Sequence, residues 1–251
     1  MKNIEISILN PESVKEAEKM MVFCARLTQR GHTIKNMNNI YELLNKSYKD
    51  STVKAMTMVP HPTIQKFGLI NIAVVGASRR FLAQITRAQY DIKFMSASLQ
   101  YSDYSDEADF VVPYEIMRDG LETQYLRSCS SAMIDYKAFS SVSGNDPAGY
   151  AAPQGLRNVL IISALPFQWK HLINQRICRR NTTETKYVML KIWEQLYELN
   201  PIMFDIDTTG ADCQKGKCRE GKLCCGRVLG KKRTPKEILD EDFPLLRKNG
   251  N

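Results

Sequence analysis

Arg80, Gln84 and Arg87 lie in "SRRFLAQITRAQYDIKFMSASLQY" (78–101) at intervals of four and three. On a helix that spacing puts them on one stripe, with Phe81, Leu82 and Ile85 on the neighbouring, buried side. Arginine presents a planar fork of donors suited to phosphate or carboxylate oxygens, and Gln84 can read a carbonyl or a ring nitrogen. A solvated helix face shows the same spacing, so the stripe alone names no ligand. Ser96 and Ser98 follow, between Phe94 and Tyr101. In an extended segment both hydroxyls face one side, and Gln100 continues the row. Hydroxyls beside backbone N–H groups hold phosphate; a strand with a polar outer face accounts for the pattern equally well. A second basic group occurs in "HLINQRICRRNTTETKY" (171–187), where Arg176 and Arg180 are four apart and Glu184 follows. Either this is a surface helix laced by i,i+4 contacts, or Arg176 faces a substrate.

Several other chemistries lack their residues. The chain has no G-x-G-x-x-G, G-x4-G-K-[ST], H-E-x-x-H or G-x-S-x-G stretch, so the corresponding phosphate cradles, zinc sites and nucleophile elbows are not indicated. The three histidines, His32, His61 and His171, are too few and too scattered for a multi-histidine metal site. Of seven cysteines, Cys24, Cys129 and Cys178 are isolated, while Cys213, Cys218, Cys224 and Cys225 cluster in "CQKGKCREGKLCCG". That cluster lacks the paired C-x2-C spacing of a zinc ribbon, so free thiols in a polar tail are expected and no metal ligand is assigned.

The elements that must position these groups are legible in part. "NIEISIL" (3–9) alternates as a strand, and Asn10-Pro11 opens a helix that runs to Arg30, with Gly31 as its stop. A second helix is expected over 37–49, and "PHPTIQKFG" (60–68) reads as loop. "LINIAVVGAS" (69–78) reads as a strand turning at Gly76, with Ser78 capping a helix to about Tyr90. Residues 91–150 show no single period, and "SSVSGNDPAGYAAPQG" (140–155) reads as a long loop. "LRNVLIISA" (156–164) reads as a buried strand, followed by a helix from about Phe167 to Arg180. A further helix carries Met189, Ile192, Trp193 and Leu196 on its apolar face and ends at Asn200-Pro201. The composition turns polar and Gly/Lys-rich from Asp205, which divides the chain into a domain over 1–204 and a peripheral tail over 205–251.

The chain's 251 residues suffice for a substantial core, and 43% hydrophobic with 25% charged residues is an ordinary globular balance. A net charge of +8 suits anionic partners such as nucleotides, folates or nucleic acid. No apolar run approaches the ~20 residues of a membrane span, and no secretory signal is legible, so a cytoplasmic protein without membrane contact is expected.

The order of these features resembles the flavin-dependent thymidylate synthases. That family carries a signature from Arg-His-Arg to Ser-x-Arg-Tyr, preceded by an "SR…Q…R" helix. "SRRFLAQITR" matches the helix, and "RAQYDIKFMSASLQY" corresponds to the signature with one residue more. Arg87, Ser98 and Tyr101 keep the family identities, whereas Ala88, Gln89 and Gln100 stand where the family has histidine, arginine and arginine. "HPT" (61–63) resembles the family's His-x-Ser/Thr element and "AAPQG" its Leu-Pro element. "HLINQRICRRNTTET" resembles the helix ending in an arginine, with Glu184 at the family's glutamate. The resemblance covers roughly residues 14 to 204.

The resemblance implies an α/β (α+β) single domain with a central mixed or antiparallel sheet flanked by helices, assembled as a homotetramer with sites at subunit interfaces. It implies FAD as cofactor, NADPH and methylenetetrahydrofolate as co-substrates, and methylation of dUMP at C5. No protein nucleophile is needed, in accord with the absence of a Pro-Cys-His stretch of the kind used by the classical folate-dependent enzymes. By the resemblance, Arg176 is the catalytic arginine beside the uracil ring. Gln84, Arg87, Ser96, Ala97, Ser98, Leu99 and Gln100 join Arg176 around the nucleotide. His61, Thr63, Arg87, Ala88, Gln89, Ser96 and His171 face the flavin. Losing the family's charges at 88, 89 and 100 leaves Lys93 as a substitute cation. It also leaves open a related C5 methylase or hydroxymethylase acting on UMP or dCMP. A basic nucleic-acid-binding protein without catalysis is a reading from another class; arginines interleaved with Leu, Ile and Phe at core spacing favour a pocket over an open groove.

Overall fold

In the computed structural model, which describes residues 1–58, 61, 63–88 and 91–247, four strands form one antiparallel sheet of order β1-β2-β4-β3. These are β1 (Glu5–Ile8), β2 (Ile70–Ser78), β3 (Lys93–Ser96) and β4 (Arg157–Ala164). Helices α1 (Glu12–Arg30), α2 (Met37–Leu44) and α3 (Asp50–Thr57) separate β1 from β2, and α4 (Arg79–Ile85) follows β2 directly. Between β3 and β4 lie α5 (Tyr114–Arg118), α6 (Glu122–Ser143) and α7 (Asn145–Ala148). After β4 come α8 (Pro166–Arg176), α9 (Thr183–Leu199), α10 (Pro235–Asp242) and α11 (Pro244–Arg247).

The core follows from two apolar patterns meeting. Ile70, Ile72 and Val74 of β2 and Leu160, Ile162 and Ala164 of β4 face inward, at 2% exposure or less. Against them packs α9, whose Val188, Met189, Ile192, Trp193 and Leu196 are wholly buried. Burying Trp193 also requires a partner for its indole N–H, which donates to the Phe204 carbonyl at 2.9 Å. Asn10 locks α1 to the sheet: its side chain donates to Leu69 O at 2.8 Å and accepts from Asn71 N at 2.8 Å.

Several boundaries differ from the sequence expectation. The span 37–49 holds α2 alone: Asn45 caps it through Tyr41 O, and Lys19 of α1 grips the Asn45 side chain at 3.0 Å. β2 does not turn at Gly76 but passes through it as a bulge, with a register shift between Val75 and Ala77. Gly76 has φ +79°, and a Cβ there would stand 2.9 Å from Asn3 O, so the bulge requires glycine. The expected loop 140–155 is partly helical, because α6 runs to Ser143 and α7 forms beyond Gly144, whose φ is +87°.

The segment after 204 is not peripheral. Ile238, Leu239 and Phe243 are wholly buried in the same core as α9. Asp242, itself buried, takes three cations: Arg179 at 2.6 Å, Arg227 at 2.6 Å and Lys186 at 3.2 Å. Burial pushes the Asp242 carboxyl up, but these cations outweigh it and hold it below the usual range. Among the described residues, no helix is long and apolar enough to cross a membrane.

Removing the Asp242 charge leaves Arg227 and Lys186 without their carboxylate and Arg179 with Glu241 alone, so Asp242→Asn should lower unfolding stability by about 3 kcal/mol in urea titrations near neutral pH. Because the folded carboxyl titrates below its unfolded value, its contribution is complete at neutral pH and is lost as pH falls below about 4. The variant should therefore lose less stability than the parent over that acid range; equal losses would contradict the assignment.

Candidate functional site

Ser78 ends β2 and begins α4, and its position is over-determined. Its hydroxyl oxygen accepts from Phe81 N at 3.1 Å, the N-cap bond expected from sequence. Its own N–H donates to Glu184 Oε1 at 2.7 Å, and its hydroxyl donates to Glu184 Oε2. Glu184 sits in the first turn of α9, so one carboxylate ties the starts of two helices together. Burial pushes that carboxyl up, and the Ser78 hydrogen bonds oppose the rise. Glu184 is thus a structural ligand of Ser78.

From this anchor α4 runs only seven residues. Thr86 ends it: both its N–H and its hydroxyl donate to Leu82 O, at 3.1 Å and 2.8 Å. Arg87 therefore lies in the turn beyond the helix and not on a common stripe with Arg80 and Gln84. The three residues diverge. Arg80 lines a cavity of about 250 Å³ with Tyr114, Glu115, Thr183 and Glu184. Gln84 is half-buried and makes no hydrogen bond with the described residues. Arg87 is exposed and approaches Arg176.

Arg176 is the last residue of α8, which stops short of the expected Arg180. Asn181 draws the chain out of the helix by donating to Gln175 O at 2.7 Å, so Arg176 and Arg180 share no helical face. The Arg176 Nε is buried without a hydrogen-bond partner. Burial, and then the charge of Arg87, push its guanidinium below the usual range. Two arginines whose charges act on each other, with no carboxylate partner among the described residues, form a centre suited to an anion or an electron-rich ring. His171, one helical turn and more before Arg176, joins the same neighbourhood. Burial lowers its pKa first, then Arg219 and Arg176, so its imidazole is held neutral.

The flank of β3 forms a separate group. Ser96 is the last β3 residue, opposite Leu160, and Ala97 N continues the ladder to Val159 O at 3.1 Å. Ser98 has left the strand: its hydroxyl oxygen accepts from Gln100 N at 3.1 Å, and Ser102 N donates to Ser98 O at 3.1 Å. The two serines therefore belong to a strand end and a turn, not to one extended row. Leu99 packs on the second apolar cluster around Phe110 and Tyr136, and Gln100 is exposed. Among the described residues, no hydrogen bond or ion pair joins this turn to Arg87 or Arg176.

The remaining expected residues fall unevenly. His61 and Thr63 are exposed at the start of a short turn (Ile64–Lys66) that packs against α8. Ala88 packs against the core, so the position offers the site no donor. Gln89 lies outside the described residues. Lys93 is paired with Asp91 at 2.9 Å and is exposed. Sequence reasoning missed Arg79, the first residue of α4, whose Nη1 is buried without a partner and whose pKa burial lowers. The double arginine after the capping serine was its only signal.

Residues 11–202 match the family model described as "Thymidylate synthase complementing protein". The chain belongs to the flavin-dependent thymidylate synthase family. Its fold is similar to thymidylate synthase X (ThyX) from Helicobacter pylori, solved with FAD and dUMP: TM-score 0.60, 13% identity, covering 80% of this chain and 97% of that one. It is similar as well to the UMP/dUMP methylase PolB from Streptomyces cacaoi, bound with 5-Br dUMP: TM-score 0.63, 12% identity, covering 82% and 95%. Among curated proteins, no sequence is similar enough to match. The family match ends at 202, so the segment carrying Arg219, Asp242 and four cysteines lies beyond it.

In this family member, Glu184→Ala leaves the buried Ser78 N–H unsatisfied. The substitution should cost about 1–3 kcal/mol in urea unfolding. An unchanged midpoint would show that the Ser78–Glu184 link does not hold α4 against α9.

Proposed function

We propose that this chain is a flavin-dependent C5 methylase of a pyrimidine nucleotide, with dUMP converted to dTMP using methylenetetrahydrofolate as carbon donor and NADPH as reductant. The observation that carries this reading is the pair Arg87 and Arg176, unpaired by carboxylate among the described residues, at the positions where the family resemblance puts nucleotide and flavin contacts. The buried, partnerless Nε of Arg176 suits an acceptor on a pyrimidine ring. Placed there, Arg176 stabilises negative charge that develops on the ring as C5 becomes nucleophilic. Arg79, at the start of α4, and Ser96 and Ser98, at the end of β3 and in the turn after it, are donors suited to the nucleotide phosphate.

The donor set fits a flavin in part. Arg87 offers an exposed guanidinium to its phosphates, His171 a neutral ring, and His61 and Thr63 accessible polar groups; Ala88 contributes only bulk. When bound, FAD supplies the hydride chemistry that no side chain provides.

Among the described residues no hydrogen bond or ion pair joins the arginine pair to the Ser96–Gln100 turn, which supports a site completed across copies in a homotetramer. The sheet's outer face supports this too. Val75 and Val159, paired across β2 and β4, are each 43% exposed, and Met95 on β3 is 73% exposed. Ile134 and Val142 on the solvent side of α6 are further exposed apolar side chains. A second reading, a methylase or hydroxymethylase of UMP or dCMP, is favoured by the core-packed Ala88 and the exposed Gln100, where the family has cations.

The purified protein should show flavin absorbance that bleaches with NADPH and returns in air. A colourless protein that FAD cannot reconstitute would overturn the reading. Tritium release from C5-labelled dUMP, UMP and dCMP then identifies the nucleotide.

Arg176→Ala should reduce turnover about 100-fold or more with the fold retained by circular dichroism. Full activity would remove Arg176 from the chemistry.

A further inference from the structure

Five of the seven cysteines meet at one cavity of about 240 Å³ beside the last turn of α8. Cys178 follows that helix, and Cys213, Cys218, Cys224 and Cys225 come from the segment beyond the family match. Among the described residues, no three Cys, His, Asp or Glu side chains are placed to share a metal ion. Two of these cysteines, Cys218 and Cys224, are six residues apart and line the same cavity. The intervening turn makes this possible, with Leu223 N donating to Glu220 O at 2.9 Å and Cys224 N to Gly221 O at 3.1 Å. Cys224 is exposed, and its sulfur accepts from Gly226 N at 3.5 Å.

We propose that Cys224 and Cys218 form a redox-modification site, oxidised to an intramolecular disulfide by low-molecular-weight disulfides of the glutathione class. The Cys224 thiolate attacks one sulfur of the small disulfide, forming a mixed disulfide and expelling a thiolate. Cys218 then gives its proton to solvent and attacks the Cys224 sulfur, expelling the second thiolate. The protein loses two electrons and two protons, and the small disulfide leaves as two thiols.

The surroundings assign the roles. The Gly226 amide, then the Cys218 thiol, favour the Cys224 thiolate and lower its pKa, which marks it as the attacking sulfur. At Cys218 the Glu220 amide favours the thiolate, but donation to Cys224 and partial burial outweigh it and keep the proton on. Burial raises Cys178 and Cys213, which leaves them less reactive. Asn174 and Gln175 of α8 share the cavity wall, so the modified pair lies next to the helix end that carries Arg176.

The test equilibrates the full chain with reduced and oxidised glutathione at rising ratios, followed by acid quench, alkylation and peptide mass mapping. The expected result is the loss of two thiols as one linked pair, Cys218–Cys224. Cys218→Ser should stop at a glutathione adduct on Cys224, and Cys224→Ser should form no disulfide. The proposal is overturned if both thiols remain alkylatable at the highest ratio, or if Cys178 and Cys213 react as readily. Stoichiometric zinc in the purified protein that blocks oxidation until chelated would also overturn it.

Discussion

The carboxylate of Glu184 holds the Ser78 N–H and hydroxyl at the point where β2 becomes α4. Ser78 is buried, so its N–H cannot turn to water, and the link sets α4 against the start of α9. Because α9 is buried on nearly all sides, it is held by packing on most of its faces. Fixing α4 to it fixes where the chain can emerge after Thr86. From that emergence point the charge of Arg87 acts on Arg176.

Like charges placed together raise the energy of the empty site. Arg176 bears this in its lowered basicity, and Arg79 bears a related cost by burying a guanidinium nitrogen without a partner. Elsewhere the same protein pairs its buried charge carefully, as around Asp242, where three cations converge on one carboxylate. The contrast separates cations used for cohesion from cations left available. An anionic, electron-rich ligand is the chemistry that relieves the second kind.

Legibility in the sequence followed the physics of each signal. β2 and β4 were readable because β-branched residues bury one face in a strict order, and α9 because its apolar residues recur at helical spacing. α6 was not readable: its buried stripe is only Cys129, Met133 and Tyr136, in a serine-rich stretch with polar and apolar residues mixed on the exposed side. Residues 205–247 were misjudged because composition reports average polarity. Three buried side chains, Ile238, Leu239 and Phe243, suffice to dock them. At the candidate site, Arg87, Arg176 and His171 were singled out by residue type and resemblance, and their charges and burial act on one another in the fold. Ser96 and Ser98 share no extended row, because Ser98 turns onto Gln100 N, and Ala88 faces the core.

By itself the sequence determined the residue chemistry of this protein: the arginines, the capping serine, the main strands, the long core helix and the family they mark. Those are local patterns, set by side-chain type and period. The tertiary structure alone decided that Arg80 and Arg87 face different neighbours, that the charge of Arg87 acts on Arg176, and that Cys178 shares a cavity with the four clustered cysteines. It decided these because burial and charge proximity depend on which distant segments the sheet order and α9 bring together. No local spacing carries that information.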